Sequence, residues 1–141
     1  MVNTDLMVSK VAAVNKHLKR IKIKADVDSE TFLSDMDIQE SVLFNLQMAI
    51  QNCIDIAAHI ISAENLGVAG SNNEMFYILE ENGYIPPHLT EKMVKAVGLR
   101  NLIVHEYAKL ELRQVLQIAK IDIADLSNYL KTIIKKSNIT I

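Results

Sequence analysis

Only two prolines and four glycines interrupt 141 residues, and the prolines, Pro86 and Pro87, are adjacent. Breakers this sparse predict long uninterrupted elements. Leu, Ile, Met and Ala dominate the apolar half of the chain, aromatics make up only 5%, and Trp is absent. That composition favours helices over a β-sandwich. Apolar residues then recur at spacings of three and four. Leu6, Met7, Val11, Val14, Leu18 and Ile21 mark a first helix over residues 3–23, and Asp26 to Ser29 breaks it.

A second, long helix is expected from about Asp35 to Asn65, carrying Val42, Leu43, Leu46, Ile50, Ile54, Ala57, Ile60 and Ile61. Asp37 followed by Glu40 reads as its capping pair. Gly67 and Gly70 punctuate its exit. A shorter helix over Asn73–Asn82 ends at Gly83, a left-handed position after the helix. Pro86-Pro87 forces an extended link. Thr90 is expected to cap a fourth helix carrying Met93, Val94, Val97, Leu102 and Ile103. Residues 112–120 and about Asp122–Lys136 complete the set. The expected fold is all-α: an antiparallel bundle of about five to six helices forming one domain over residues 1–141.

Charge and composition exclude several function classes. The formal net charge is −2, which argues against a polyelectrolyte binder that coats nucleic acid and leaves room for a local basic cleft. Lys16, Lys19, Arg20, Lys22 and Lys24, with Lys131, Lys135 and Lys136, read as solvated helix faces and C-terminal charges. The single cysteine, Cys53, forms no internal disulfide or multi-cysteine zinc site and reads as a small core residue. No uncharged apolar run reaches membrane-spanning length, and Asp5, Lys10 and Lys16 interrupt any signal-peptide core, so no membrane association and a cytoplasmic location are expected.

Chemistry concentrates in Arg100-Asn101-Leu102-Ile103-Val104-His105-Glu106-Tyr107. The arginine holds a phosphate through a planar fork of donors. The histidine is the side chain most easily set to move protons near neutral pH. Cleaving a phosphodiester without a metal needs both. Arg100 and Tyr107, seven residues apart, fall on nearly one helical stripe, whereas His105 is turned about 140° from Arg100. Either the helix loosens near His105, or two copies of the chain face each other and assemble the site between them. Elsewhere, Asp55 and His59 sit at i,i+4, a helix-surface pair more readily than a metal site. Asp35 and Asp37 read as helix-start residues, Tyr77 and Tyr84 as packing around the Gly83 turn, and His17 and His88 lack evident partners. No metal site and no cofactor are expected.

The same eight residues resemble the signature of the HEPN ribonucleases, and of the HepT toxins within them. The resemblance extends through Gln47-Met48-Ala49-Ile50, Asp55-Ile56-Ala57-Ala58-His59-Ile60-Ile61, Leu79-Glu80-Glu81-Asn82-Gly83-Tyr84-Ile85 and Gly98-Leu99-Arg100-Asn101, covering roughly residues 35–135. It implies a metal-independent endoribonuclease toxin of a type VII-like toxin–antitoxin pair. Arg100 and His105 are then the catalytic pair, and RNA is cleaved at a homodimer cleft; beside them, Asn101 is placed to orient the substrate or the arginine, and Tyr107 to bond a phosphate or stack on a base. It also implies a partner, an MntA-type nucleotidyltransferase antitoxin that adenylylates Tyr107. The added AMP would bring negative charge and bulk to the place where an RNA phosphate binds. The alternative is a non-catalytic helical module that partners a nucleotidyltransferase; a weaker third reading keeps the motif for RNA recognition only. An intact Arg100, His105 and Tyr107 favours the nuclease.

Overall fold

The computed structural model describes residues 1–140. Among them are five long helices, α1 (Thr4–Lys24), α3 (Met36–Ala63), α4 (Asn72–Glu81), α5 (Pro87–His105) and α7 (Ile123–Ser137). Two short helices, α2 (Ser29–Ser34) and α6 (Leu112–Gln117), lie between them, and no strand is present among the described residues. The expected all-α bundle is therefore observed.

The long helix α3 is the central rod. Its apolar stripe, Val42, Leu43, Leu46, Ile50, Ile54, Ala57 and Ile60, is buried along its length. Helix α1 runs antiparallel to it. Asn3 N–H donates to His59 Nε2, Lys10 pairs with Asp55 at 2.9 Å, and His17 Nδ1 lies 2.8 Å from Asn45 Oδ1. Helix α5 also descends antiparallel to α3, since Lys95, Ala96 and Leu99 share a groove with Leu46 and Ile50, while Ile103 opens beside Leu43. Tyr129 of α7 closes the centre: it is fully buried, meets Phe76 edge-on at 5.6 Å, and donates its hydroxyl to Cys53 O at 3.1 Å. Cys53 is the core residue that its apolar surroundings imply.

Helix boundaries follow local chemistry, with three departures from the sequence expectations. The cap of α3 is Asp35, whose carboxylate accepts from Ile38 N–H at 3.1 Å; Asp37 lies in the first turn instead. The chain is extended at Asp35 and already helical at Asp37, and only an extended residue can turn its side chain back onto the first free N–H groups. Thr90 does not cap α5. Pro87 starts that helix, Pro86 holds the extended cap conformation, and Thr90 is wholly buried inside the first turn. Proline suits a first helical position because that position has no intrahelical use for an N–H. The break after α1 contains α2, capped by Asp28 onto Thr31 N–H at 2.7 Å.

The predicted helices over 112–120 and 122–136 prove continuous. A π-helical segment, Ile118–Asp122, joins α6 to α7, with Ile123 N–H bonded to Ile118 O. A π turn absorbs one extra residue without ending the helix, so both halves keep their apolar sides, Val115 and Leu116 before it and Leu126 and Leu130 after it, in the core. Gly83 behaves as expected, with φ +77 and the two reverse bonds, Gly83 N–H to Glu80 O and Tyr84 N–H to Leu79 O, of a Schellman ending. No helix among the described residues is long and apolar enough to cross a membrane.

Candidate active site

The motif lies at the end of α5. Arg100 is one turn from that end, half-buried, and its Nη1 donates to Asn101 Oδ1 at 3.1 Å. Its Nε is shut away from solvent with no acceptor among the described residues. Orphaned buried donors are rare and point to a site with an outstanding requirement. Asn101 thus offers the guanidinium an acceptor from the next position along the helix.

His105 is the last residue of α5 and its side chain is exposed. The imidazole is therefore open to a ligand. The helix does not loosen near it: Glu106 N–H still reaches Leu102 O at 2.9 Å. The turn of about 140° between Arg100 and His105 therefore stands within one chain.

Tyr107 falls outside the helix. It opens a 3₁₀ turn, Tyr107–Lys109, after Glu106 leaves the helical conformation at φ −140, ψ 48. The single stripe expected for Arg100 and Tyr107 is consequently absent, because helical spacing ends at His105. The turn is held by Lys109 N–H on Glu106 O and by a 2.9 Å ion pair between Lys109 and Glu106. Tyr107 remains 53% exposed. Arg100 forms no ion pair among the described residues.

Other sequence candidates resolve as structural. Asp55 receives Lys10 and Gln51, and His59 accepts from Asn3, so the i,i+4 pair is divided between separate partners. No cluster of three or more metal-ligating side chains occurs among the described residues. Tyr77 donates to Glu91, whose charge beside it raises its pKa, and Tyr84 sits under Lys136 at 5.7 Å. His17 does have partners: it is buried against Asn45 and meets the Phe44 ring edge-on at 6.2 Å.

Sequence reasoning passed over Phe44. It is 56% exposed on α3 and lines an opening with Glu40, Leu43, Gln47, Ile103 and Tyr107. The available signal was its mismatch with the apolar stripe, since Phe44 lies about 100° around the helix from Leu43.

The site is thus an all-α bundle whose penultimate long helix carries Arg100 and Asn101 in its last turns and ends at His105, with Tyr107 just beyond it. The model of the Ribonuclease HepT-like family matches residues 14–133, and the chain belongs to that family. It is 34% identical over 129 residues to the mRNA nuclease HepT of Shewanella oneidensis, covering 92% of this chain and 96% of that one. It is 29% identical over 107 residues to the tRNA nuclease HepT of Aphanizomenon flos-aquae, covering 76% and 73%. A solved structure of a tri-AMPylated Shewanella oneidensis HEPN toxin in complex with an MNT antitoxin superimposes with a TM-score of 0.86 at 34% identity, covering 93% of this chain and 98% of that one.

Proposed function

We propose that this chain, as one HEPN-like domain, is an endoribonuclease toxin that cleaves RNA without a metal and is silenced by an MntA-type nucleotidyltransferase. The observation that carries this reading is the motif's arrangement: Arg100 pinned by Asn101, with His105 exposed at the helix end and Tyr107 exposed just past it. Membership of the HepT-like family and the names of its nuclease relatives support the same chemistry.

The reaction needs no redox step or metal. A neutral imidazole takes the proton of a ribose 2′-hydroxyl, and the freed oxygen attacks the adjacent phosphorus in line. Charge gathers on the phosphoryl oxygens, where a held guanidinium stabilises it because little reorganisation remains to be done. The 5′-oxygen leaves and takes a proton from an imidazolium, giving a 2′,3′-cyclic phosphate and a 5′-hydroxyl. One base and one acid are required, and this motif supplies one histidine. Since α5 stays regular and keeps Arg100 and His105 apart, two copies about a two-fold axis supply the pair, one His105 neutral and its mate protonated.

Silencing follows from Tyr107. Its phenolic oxygen attacks the α-phosphorus of ATP on the antitoxin, pyrophosphate leaves, and the phenol proton passes to solvent. The AMP then stands beside His105 and competes with RNA for Arg100. An HEPN toxin of this fold is AMPylated in complex with its MNT antitoxin, which supports this role for the partner.

The test is RNA cleavage by unmodified protein in EDTA beside His105→Ala, with intact mass confirming that Tyr107 is bare. Cleavage by the parent and none by the variant is expected. Absence of cleavage by the bare parent on both transfer and messenger RNA sinks the nuclease reading and leaves the non-catalytic partner module.

A further inference from the structure

The opening beside Tyr107 has the make-up of a nucleobase site. One wall is a single ridge of α3: Glu40, Phe44 and Gln47, at i, i+4 and i+7, share a helix face. The other wall is Ile103 and Tyr107, and Leu43 forms the floor. Phe44 and Tyr107 are both more than half exposed, and no ring–ring contact joins them among the described residues. Phe44 stands off the buried apolar stripe of α3. Yet this ring is held, because the buried His17 meets it edge-on and is itself bonded to Asn45, which in turn donates to Ser41 O.

We infer that this opening binds one unstacked RNA base, with Phe44 as the stacking surface and Glu40 and Gln47 as readers of the base edge. The inference rests on the ribonuclease reading for its ligand class. Aromatic side chains bind bases through their π faces whatever the base, and carboxylates and amides on the rim then distinguish the edges. The rim decides between base and phosphate. Glu40 is anionic and repels a phosphate, whereas it accepts a hydrogen bond from an exocyclic amine. Tyr107 lies two residues past His105, so a base held here sits next to the scissile linkage and determines where the chain is cut. The same placement gives AMP on Tyr107 a second means of blocking, by filling the base site.

The test uses single-stranded RNA oligonucleotides carrying 2-aminopurine at successive positions, bound to full-length His105→Ala so that no cleavage occurs. Stacking quenches 2-aminopurine fluorescence. Quenching is expected at one position. It should vanish in Phe44→Ala and Phe44→Leu, return in Phe44→Tyr, and be accompanied by about tenfold weaker binding when the ring is lost. Phe44 is exposed, so these changes spare the core, and sedimentation of each variant reports its assembly. No quenching at any position overturns the inference, whatever the cleavage assay shows. Quenching that survives Phe44→Ala does the same. Quenching lost only together with a change in molecular mass assigns Phe44 to a contact between copies and also overturns it. With the quenched position changed to cytosine or uracil, cytosine should bind better, and Glu40→Gln should erase the difference; equal binding of both by the parent removes Glu40 from the site.

Discussion

Arg100 Nη1 donates to Asn101 Oδ1 at 3.1 Å although the two residues are sequence neighbours on a helix. Neighbouring side chains diverge by about 100° on an α-helix and seldom meet. Here the asparagine turns back and fixes the guanidinium. Replacing Arg100 with Lys keeps the charge and removes the fork, and cleavage in EDTA should fall about 100-fold or more. Asn101→Ala should reduce cleavage about tenfold, the scale of one hydrogen bond to a charged group. An Asn101→Ala enzyme as active as the parent removes the orienting role.

If the site is assembled from two copies, inactive variants should complement each other. Arg100→Ala and His105→Ala, each inactive alone, are expected to regain a fraction of parental cleavage after being mixed, unfolded together and refolded. Mixed dimers then contain a cleft with one intact arginine and one intact histidine, and only a fraction of cleavage returns because water must replace the missing imidazole in one of the two proton transfers. A mixture as inactive as its components points to a site within one chain, against the geometry of α5.

The cap of α3 distinguishes Asp35 from Asp37, two residues further on. Asp35→Ala should destabilise the fold by about 1 kcal/mol in denaturant titration, because Ile38 N–H loses its acceptor. Asp37→Ala, which removes no cap bond, should cost well under half of that. The reverse order would return the cap to Asp37.

Gly83 has φ +77, and a Cβ there meets nothing closer than Lys136 Nζ at 3.9 Å. The cost of Gly83→Ala is therefore backbone strain alone, about 1 kcal/mol. Cleavage should be unchanged, since the turn is remote from α5's end. A variant as stable as the parent would show that the left-handed turn relaxes.

Burial raises the pKa of both the Cys53 thiol and the Tyr129 hydroxyl. The unfolded chain releases these protons first, so it binds fewer protons than the folded one and stability falls as pH rises. The contribution is fully present below the ordinary thiol value of about 8.5. It declines above that, and more steeply above the ordinary phenol value of about 10. Cys53→Ala should flatten the first part of the decline and Tyr129→Phe the second, read from denaturant midpoints against pH. Tyr129→Phe also loses the bond to Cys53 O, about 1 kcal/mol at neutral pH.

Helical class, the long rod of α3, the Gly83 ending and the Arg100-to-Tyr107 motif were all legible along the chain, because each depends on neighbours within one or two turns. Apolar spacing reports a helix's buried side, and glycine alone accepts the left-handed ending without strain. Tertiary structure decided what depends on distant residues. His17 looked partnerless until α1 lay antiparallel on α3 and met Asn45, 28 positions away. Asp55 and His59 looked like a pair until Lys10 and Asn3 took one each. The exposure of His105 and Phe44 likewise depends on what packs beside them, and periodicity names a face without naming its occupant. Whether Arg100 and His105 share one helical stripe rested on α5 staying regular to its last residue, and the hydrogen bond from Glu106 N–H to Leu102 O shows that it does, which leaves them on different stripes.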